Sequence, residues 1–246
     1  MDLPAYAVFL LIVAFGTWVQ TTTGFALGLI VVGTTALFDL MPIPKVAMVM
    51  SLLGLANALA ALRGRTREVR WDVSLLCSAG LIPGLVFGVW LLGELHDDAP
   101  RLLKLLLGAF LFLAGGTMMF RPRTHQSASA GWTYTAVGGF AGVLGGLFSA
   151  PGPAIVMHLY MQPITVRAIQ ATLYSIFAVT SFARTCTVGW RGELTAEIGA
   201  LALISMPVVL ACTVLTQRYP LQLNDAQLRR AVFALLAIVG LTLMLG

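Results

Sequence analysis

The sequence predicts an all-α polytopic membrane protein built from two homologous halves, each a broken or re-entrant helical hairpin followed by three transmembrane helices. Composition points there first: 59% of the 246 residues are hydrophobic, 10% are charged and mean hydropathy is +0.91, whereas soluble domains carry about 25% charged residues. The apolar residues also gather into runs near 4–20, 24–39, 46–62, 73–93, 102–120, 131–148, 153–161, 168–183, 194–216 and 230–246. At about 20 residues per span, the chain has room for roughly eight to ten embedded segments and no separate soluble domain. Finally, features of the first half recur in the second.

The recurrence divides the chain into a first repeat at 1–120, a polar linker at 121–130 and a second repeat at 131–246. A spacing of 121 carries Gly24 to Gly145, Pro42 to Pro163, Ile43 to Ile164, Ala47 to Ala168 and Arg63 to Arg184. After a small insertion Pro83 stands against Pro207, and Arg101 near Arg229. Single matches mean little, because Gly, Ala and Pro are common in membrane helices. Several in one frame indicate an internal duplication, an arrangement typical of secondary transporters.

In the first segment no Lys or Arg precedes the apolar run. A cleaved signal peptide wants a basic start, so this segment is expected to stay in the mature protein. It gives way at Gln20-Thr21-Thr22-Thr23-Gly24-Phe25-Ala26-Leu27-Gly28, where Gly and hydroxyl residues loosen a helix near the middle of an apolar stretch. The second half has its counterpart at Gly145-Gly146-Leu147-Phe148-Ser149-Ala150-Pro151-Gly152-Pro153. Free backbone groups at membrane depth are tolerated only where they are buried in protein or line a cavity. A matched pair of interrupted segments therefore marks a transporter's binding site.

Loop charges orient the remaining segments. Arg63, Arg65, Arg67 and Arg70 crowd one loop and Arg121 and Arg123 another, two spans apart, which places both in the cytoplasm. The acidic loop Glu94–Asp98 between them falls outside, as do Asp39, Lys45 and, across a hairpin, the N-terminus. An odd number of crossings per half makes the repeats inverted, with Arg218, Arg229 and Arg230 inside and the loop of Arg184, Arg191 and Glu193 outside. One long tilted helix through 4–39 would make them parallel instead.

The breaks suggest a chemistry. If each places a short helix start near mid-membrane, free N–H groups and positive dipole ends point into the protein, one helix following the Thr-Thr-Thr-Gly-Phe turn and the other beginning at Pro153. With hydroxyls from Thr21, Thr22, Thr23 and Ser149, two such ends form a neutral site for a small oxyanion. The candidate substrate-binding residues are these four with Gly24, Phe25, Gly28, Pro151, Gly152, Pro153, His158 and Arg184.

Several of these have structural readings alongside. His158 is a substrate contact or proton relay, or a packed histidine near the interface. Arg184, like Arg63, extends from a helix end toward the site or snorkels to the headgroups. Lys45 and Arg167 steer anions or set topology, and Asn57 bonds between helices. Gly80–Gly88 and Gly138–Gly146 hold small-xxx-small spacings that serve packing first and homodimer contacts second.

Other functions are disfavoured. The net charge of +5 lies in loops between apolar runs, as topology requires, and does not suggest nucleic acid. Cys77, Cys186 and Cys212 lack ligand or disulfide spacing, and the Glu94–Asp98 stretch with His96 supplies no closed metal set. Neither a phosphate-cradling loop nor a nucleophile-base pair is visible, so no enzyme activity, cofactor or metal is expected.

On these residues the chain resembles the sulfite exporter TauE/SafE family of bacterial inner-membrane proteins. The resemblance is carried by Thr23-Gly24-Phe25-Ala26-Leu27-Gly28 with Pro42 and Ala47, and by Gly145 through Val156 with Tyr160, Arg167 and Ala168. It implies a permease for sulfite or organosulfonates, with export coupled to a proton or sodium gradient. A transporter of another small solute or ion, and a non-transporting membrane assembly subunit, stand as alternatives.

Overall fold

The ten apolar runs fold as ten helices: α1 (Leu3–Thr23), α2 (Leu27–Leu37), α3 (Ile43–Leu62), α4 (Trp71–Asp98), α5 (Pro100–Met119), α6 (Gly131–Phe148), α7 (Gly152–Tyr160), α8 (Val166–Trp190), α9 (Ala196–Arg218) and α10 (Asp225–Leu245). The computed structural model describes residues 3–119, 127–219 and 225–245, and among these no strand occurs. Arg121–Gln126 of the expected linker lie outside the described residues, as do the side chains of Arg229 and Arg230. Of the helices, α1, α3, α4, α8 and α9 are long and apolar enough to cross a membrane. The chain is a multi-pass membrane protein.

Both halves open with a hairpin of unequal limbs. α2 and α7 have 11 and 9 residues, about 16 and 14 Å at 1.5 Å per residue and so roughly half a hydrocarbon core. α2 folds back along α1, since a Cβ at Gly16 would stand 3.1 Å from Leu27 Cδ1 and 3.2 Å from Val31 Cγ2. Near the end of α7, His158 Nε2 comes within 3.4 Å of Thr133 Oγ1 at the start of α6. α1 is not the short limb expected. Its 21 residues run through Thr21–Thr23, so the threonines form its last turn and not the connecting turn.

Two further expectations change. Glu94–Asp98 is the final turn of α4 and not a loop. Arg184 lies six residues inside the end of α8, fully buried, and so neither snorkels nor belongs to the loop of Arg191 and Glu193. A polar residue run ending in Thr-Cys-Thr-Val-Gly-Trp reads poorly as a span, yet back-bonding hydroxyls such as Thr185 and Thr187 keep the helix going.

Glycine seams position the scaffold. α4 and α6 run parallel, with a Cβ at Gly84 only 2.2 Å from Gly139 O and one at Gly142 only 2.2 Å from Leu81 O. Both small-xxx-small stretches are therefore used against each other within the chain. α5 and α10 pack antiparallel, Gly108 facing Gly240 and Gly115 facing Phe233. α3 and α8 also cross antiparallel, since Ala47 and Ser51 meet Arg184 while Gly54 meets Ser181. α3 and α9 run parallel, from Lys45–Glu197 at one end to Gln217–Ala61 at the other. Exchanging α1–α5 with α6–α10 maps these packings onto each other: α4 with α6 becomes α9 with α1, and α3 with α9 becomes α8 with α4, both pairs in contact.

The two ends of the bundle differ in charge. The C-terminal end of α3, with Arg63, Arg65, Arg67 and Arg70, lies beside the start of α8, where Arg70 N donates to Thr172 Oγ1 at 3.0 Å, and beside the end of α9 with Arg218. Opposite it Lys104 bonds Asp39 at 2.5 Å, Lys45 bonds Glu197 at 2.5 Å and Arg191 bonds Glu193.

Candidate functional site

α1 ends because the chain leaves helical geometry at Gly24 (φ +92°) and again at Ala26 (φ +98°). Glycine takes the first freely, while an alanine in the left-handed region costs about 1–2 kcal/mol. Such strain persists where surrounding contacts fix it. Here the fixing residue is Gln20. Its Oε1 accepts from Leu27 N, the first amide of α2, at 3.0 Å. Its Nε2 donates to Asn57 Oδ1 of α3 at 2.5 Å, and Asn57 Nδ2 donates onward to Thr213 Oγ1 of α9 at 2.8 Å. Tyr174 of α8 donates to the Gln20 and Thr21 carbonyls at 3.2 Å, joining the Gly24 amide on Gln20 O and satisfying Thr21 O at the helix end. All these residues are buried.

The second break is held differently. α6 stops at Ser149 (φ +53°), whose N–H returns to Gly145 O at 2.9 Å. α7 starts with Pro151 as its cap and Pro153 in its first turn, where missing donors cost nothing. The carbonyls at the end of α6 face Arg184. Its Nε donates to Gly145 O and Gly146 O at 3.1 and 3.2 Å, and Nη2 donates to Gly146 O at 3.0 Å. Nη1 donates to Ala47 O and Ser51 Oγ of α3, both at 2.8 Å. Among the described residues no carboxylate pairs with it. The structure thus buries a whole positive charge and ties it to main-chain oxygens.

The breaks meet. A Cβ on Gly28 would stand 2.4 Å from Ser149 O, and one on Gly152 would stand 3.5 Å from Phe25 Cβ. Only glycine at 28 allows this approach. Between them lies a cavity with about 40 Å³ in which the centre of a water molecule can move, enough for a few waters or one small ion. Its polar wall is Gln20, Ser149, Thr180 and Ser181 with the starts of α2 and α7; Leu27, Leu29, Met50 and Phe177 form the apolar wall. The cavity sits close to the middle of α3 and of α8, and among the described residues no ionisable side chain lines it.

The expected residues divide accordingly. Gly28, Ser149, Pro151 and Gly152 line the cavity. Phe25 packs beside it on Gly152 and stacks on Phe233 at 5.7 Å. Thr21, Thr22 and Thr23 are not among the lining residues, and their hydroxyls donate to Thr17 O, Trp18 O and Val19 O at 2.8, 2.9 and 2.8 Å. Gly24 forms the turn, Pro153 the first turn of α7, and Arg184 supports the break from behind. His158 lies away from the cavity, edge-on to Tyr134 with ring centroids 4.9 Å apart, near Gln162 and Thr133. Gln20, Met50, Gly54, Phe177, Thr180 and Ser181 were not singled out. α3 and α8 carry no break, and a small residue in an unbroken apolar helix gives no local signal.

Comparison with known proteins covers almost the whole chain. The family described as "Sulfite exporter TauE/SafE" matches residues 8–243. A "Probable sulfite/organosulfonate exporter TauE" of Cupriavidus necator is 38% identical over 230 residues, 94% of this chain and 90% of the relative. A "Probable inner membrane transporter protein TsaS" of Comamonas testosteroni is 28% identical over 178 residues, 72% of this chain and 73% of the relative. No solved structure matches the chain.

Proposed function

Because the chain belongs to the sulfite exporter TauE/SafE family, whose members are membrane transporters and not enzymes, we propose that it is a secondary transporter exporting a small sulfur-containing anion. Sulfite or an organosulfonate occupies the cavity between the starts of α2 and α7. The observation that carries this reading is the meeting of Gly28 with Ser149, which brings two helix N-termini to one cavity beside the buried Arg184. Helix starts present unpaired amides and a partial positive charge of about half a unit each. Arg184 adds a fixed charge with four of its five N–H groups already engaged, so it attracts an anion without chelating it bidentately.

The antiparallel pairs α3/α8 and α5/α10 support two inverted repeats. Cytoplasmic placement of the arginine-rich end follows from the positive-inside rule, and the hairpin of α1 and α2 then puts the N-terminus outside with Asp39. An ion gradient, of protons or sodium, drives export; the anion's own charge makes it sensitive to the membrane potential.

The test is flux of sulfite and methanesulfonate in proteoliposomes, with Gly28→Val beside the unaltered chain. Saturable flux that Gly28→Val abolishes, in protein still eluting as a single species, is expected. Flux that persists in Gly28→Val would remove the cavity from the mechanism.

A further inference from the structure

Ser181 is 9% exposed, lines the cavity and sits on α8 one turn before Arg184. Its neighbours behave differently. Thr180 Oγ1 donates to Ile176 O at 2.7 Å and Thr185 Oγ1 to Ser181 O at 2.8 Å, both back-bonds along α8. Among the described residues the Ser181 hydroxyl has no hydrogen-bond partner. It lies against α3, where its oxygen is 2.9 Å from the place a Cβ on Gly54 would occupy, and Gly54 lines the same cavity. Gly54 therefore keeps open the space this hydroxyl faces. A hydroxyl that opens on a cavity and has no protein partner can donate to whatever acceptor occupies that cavity.

Much of the rest of the lining is apolar, with Met50, Phe177, Leu27 and Leu29, and among the described residues no ionisable side chain lines the cavity. A ligand with a second charge at its far end would find no oppositely charged side chain in this lining to pair with it, and an unpaired charge away from water is costly. Resting on the transport reading above, we propose that Ser181 donates to the oxyanion head and that the site takes anions charged at one end only. Sulfite and short alkanesulfonates fit this class. Aminosulfonates and carboxysulfonates, which carry an ammonium or carboxylate at the far end, do not.

The experiment is sulfite uptake into proteoliposomes competed by methanesulfonate, taurine or sulfoacetate, in the unaltered chain, Ser181→Ala, Ser181→Thr and Gly54→Ala. Methanesulfonate should compete at least tenfold better than taurine or sulfoacetate. Loss of a hydrogen bond to a charged acceptor should raise the sulfite KM of Ser181→Ala roughly tenfold to a hundredfold at unchanged maximal rate. Ser181→Thr, which keeps the hydroxyl, should restore KM to within about threefold, and Gly54→Ala, which crowds it, should raise KM. A packing role would instead lower the amount of folded protein or the maximal rate and leave KM alone. If sulfite is moved but taurine and sulfoacetate compete as well as methanesulfonate, or if Ser181→Ala keeps its KM, the transport reading stands and this inference is overturned. If the unaltered chain moves neither sulfite nor methanesulfonate, the transport reading itself fails.

Discussion

Replacing Arg184 by methionine removes a fully buried charge of similar length, and its consequence can be worked from the contacts. The guanidinium makes five hydrogen bonds, to Gly145 O, Gly146 O twice, Ala47 O and Ser51 Oγ. Gly145 O keeps the Ser149 amide and Ala47 O keeps the Ser51 hydroxyl, at 2.9 Å each. Gly146 O loses both its guanidinium donors, and a buried carbonyl left unsatisfied costs about 1–3 kcal/mol. The weaker contacts add about 1 kcal/mol each, while relief of the arginine's own desolvation offsets several kcal/mol. A net loss of about 2–4 kcal/mol remains, and the whole of it falls on the link between α6 and α3. For a chain of this size that lowers the unfolding midpoint by about 5–15 °C. Arg184→Lys should fall between, since a point charge cannot span the two helices. The assay is thermal unfolding of detergent-purified protein, paired with sulfite flux. Equal midpoints and equal flux in Arg184→Met and the unaltered chain would refute the reasoning.

Other perturbations follow from the same contacts. Gln20→Leu leaves Leu27 N and Asn57 without their partner and should weaken sulfite binding severalfold while lowering the unfolding midpoint by a few degrees, read by competition and thermal melts. Thr22→Val should change the sulfite KM by less than about threefold, because that hydroxyl already bonds Trp18 O at 2.9 Å. Gly84→Leu drives a side chain into backbone 2.2 Å away in α6 and should abolish folded protein in the membrane, seen by size-exclusion of a fluorescent fusion. In a chain freed of its own cysteines, an impermeant thiol reagent applied outside should label a cysteine at Glu193 and spare one at Arg65; the reverse pattern would invert the proposed orientation.

Much of the architecture was legible because a bilayer leaves few options. Runs of apolar residues must become helices, and every run became one, with ends displaced by a few residues. The largest displacement, at the end of α8, has a local cause: Ser181, Arg184, Thr185 and Thr187 dilute the hydropathy while their side chains are bonded or buried within the bundle, beyond the continuously buried stretch Ala171–Phe177. The pairing of the two breaks was also legible, since Gly and Pro at matched places announce them. What each threonine and the arginine would do was not. A threonine beside a break looks like a ligand, but the helix above it has a carbonyl four residues back that its hydroxyl reaches first. An arginine near a helix end looks like a surface group until the fold supplies enough carbonyls to hold it inside.

On the proposed function, the same difference would let a chain with so little charge select an anion and still let it go. A guanidinium in direct contact with sulfite would bind it bidentately and slowly release it. Placed behind the break, with donors given to Gly145, Gly146, Ala47 and Ser51, Arg184 would on that reading act on the cavity through space. By Coulomb's law at an effective dielectric of ~20, a unit charge about 4 Å away contributes about 4 kcal/mol and one twice as far about 2 kcal/mol, the smaller figure being a factor of roughly thirty in favour of an anion over a neutral solute. A bias of that size would favour occupancy by an anion without holding it tightly. Contact chemistry then falls to groups that bind weakly one at a time: the helix-start amides and the free hydroxyl of Ser181. A neutral arginine substitute that stays folded should therefore lose preference for anions over neutral solutes without losing the cavity.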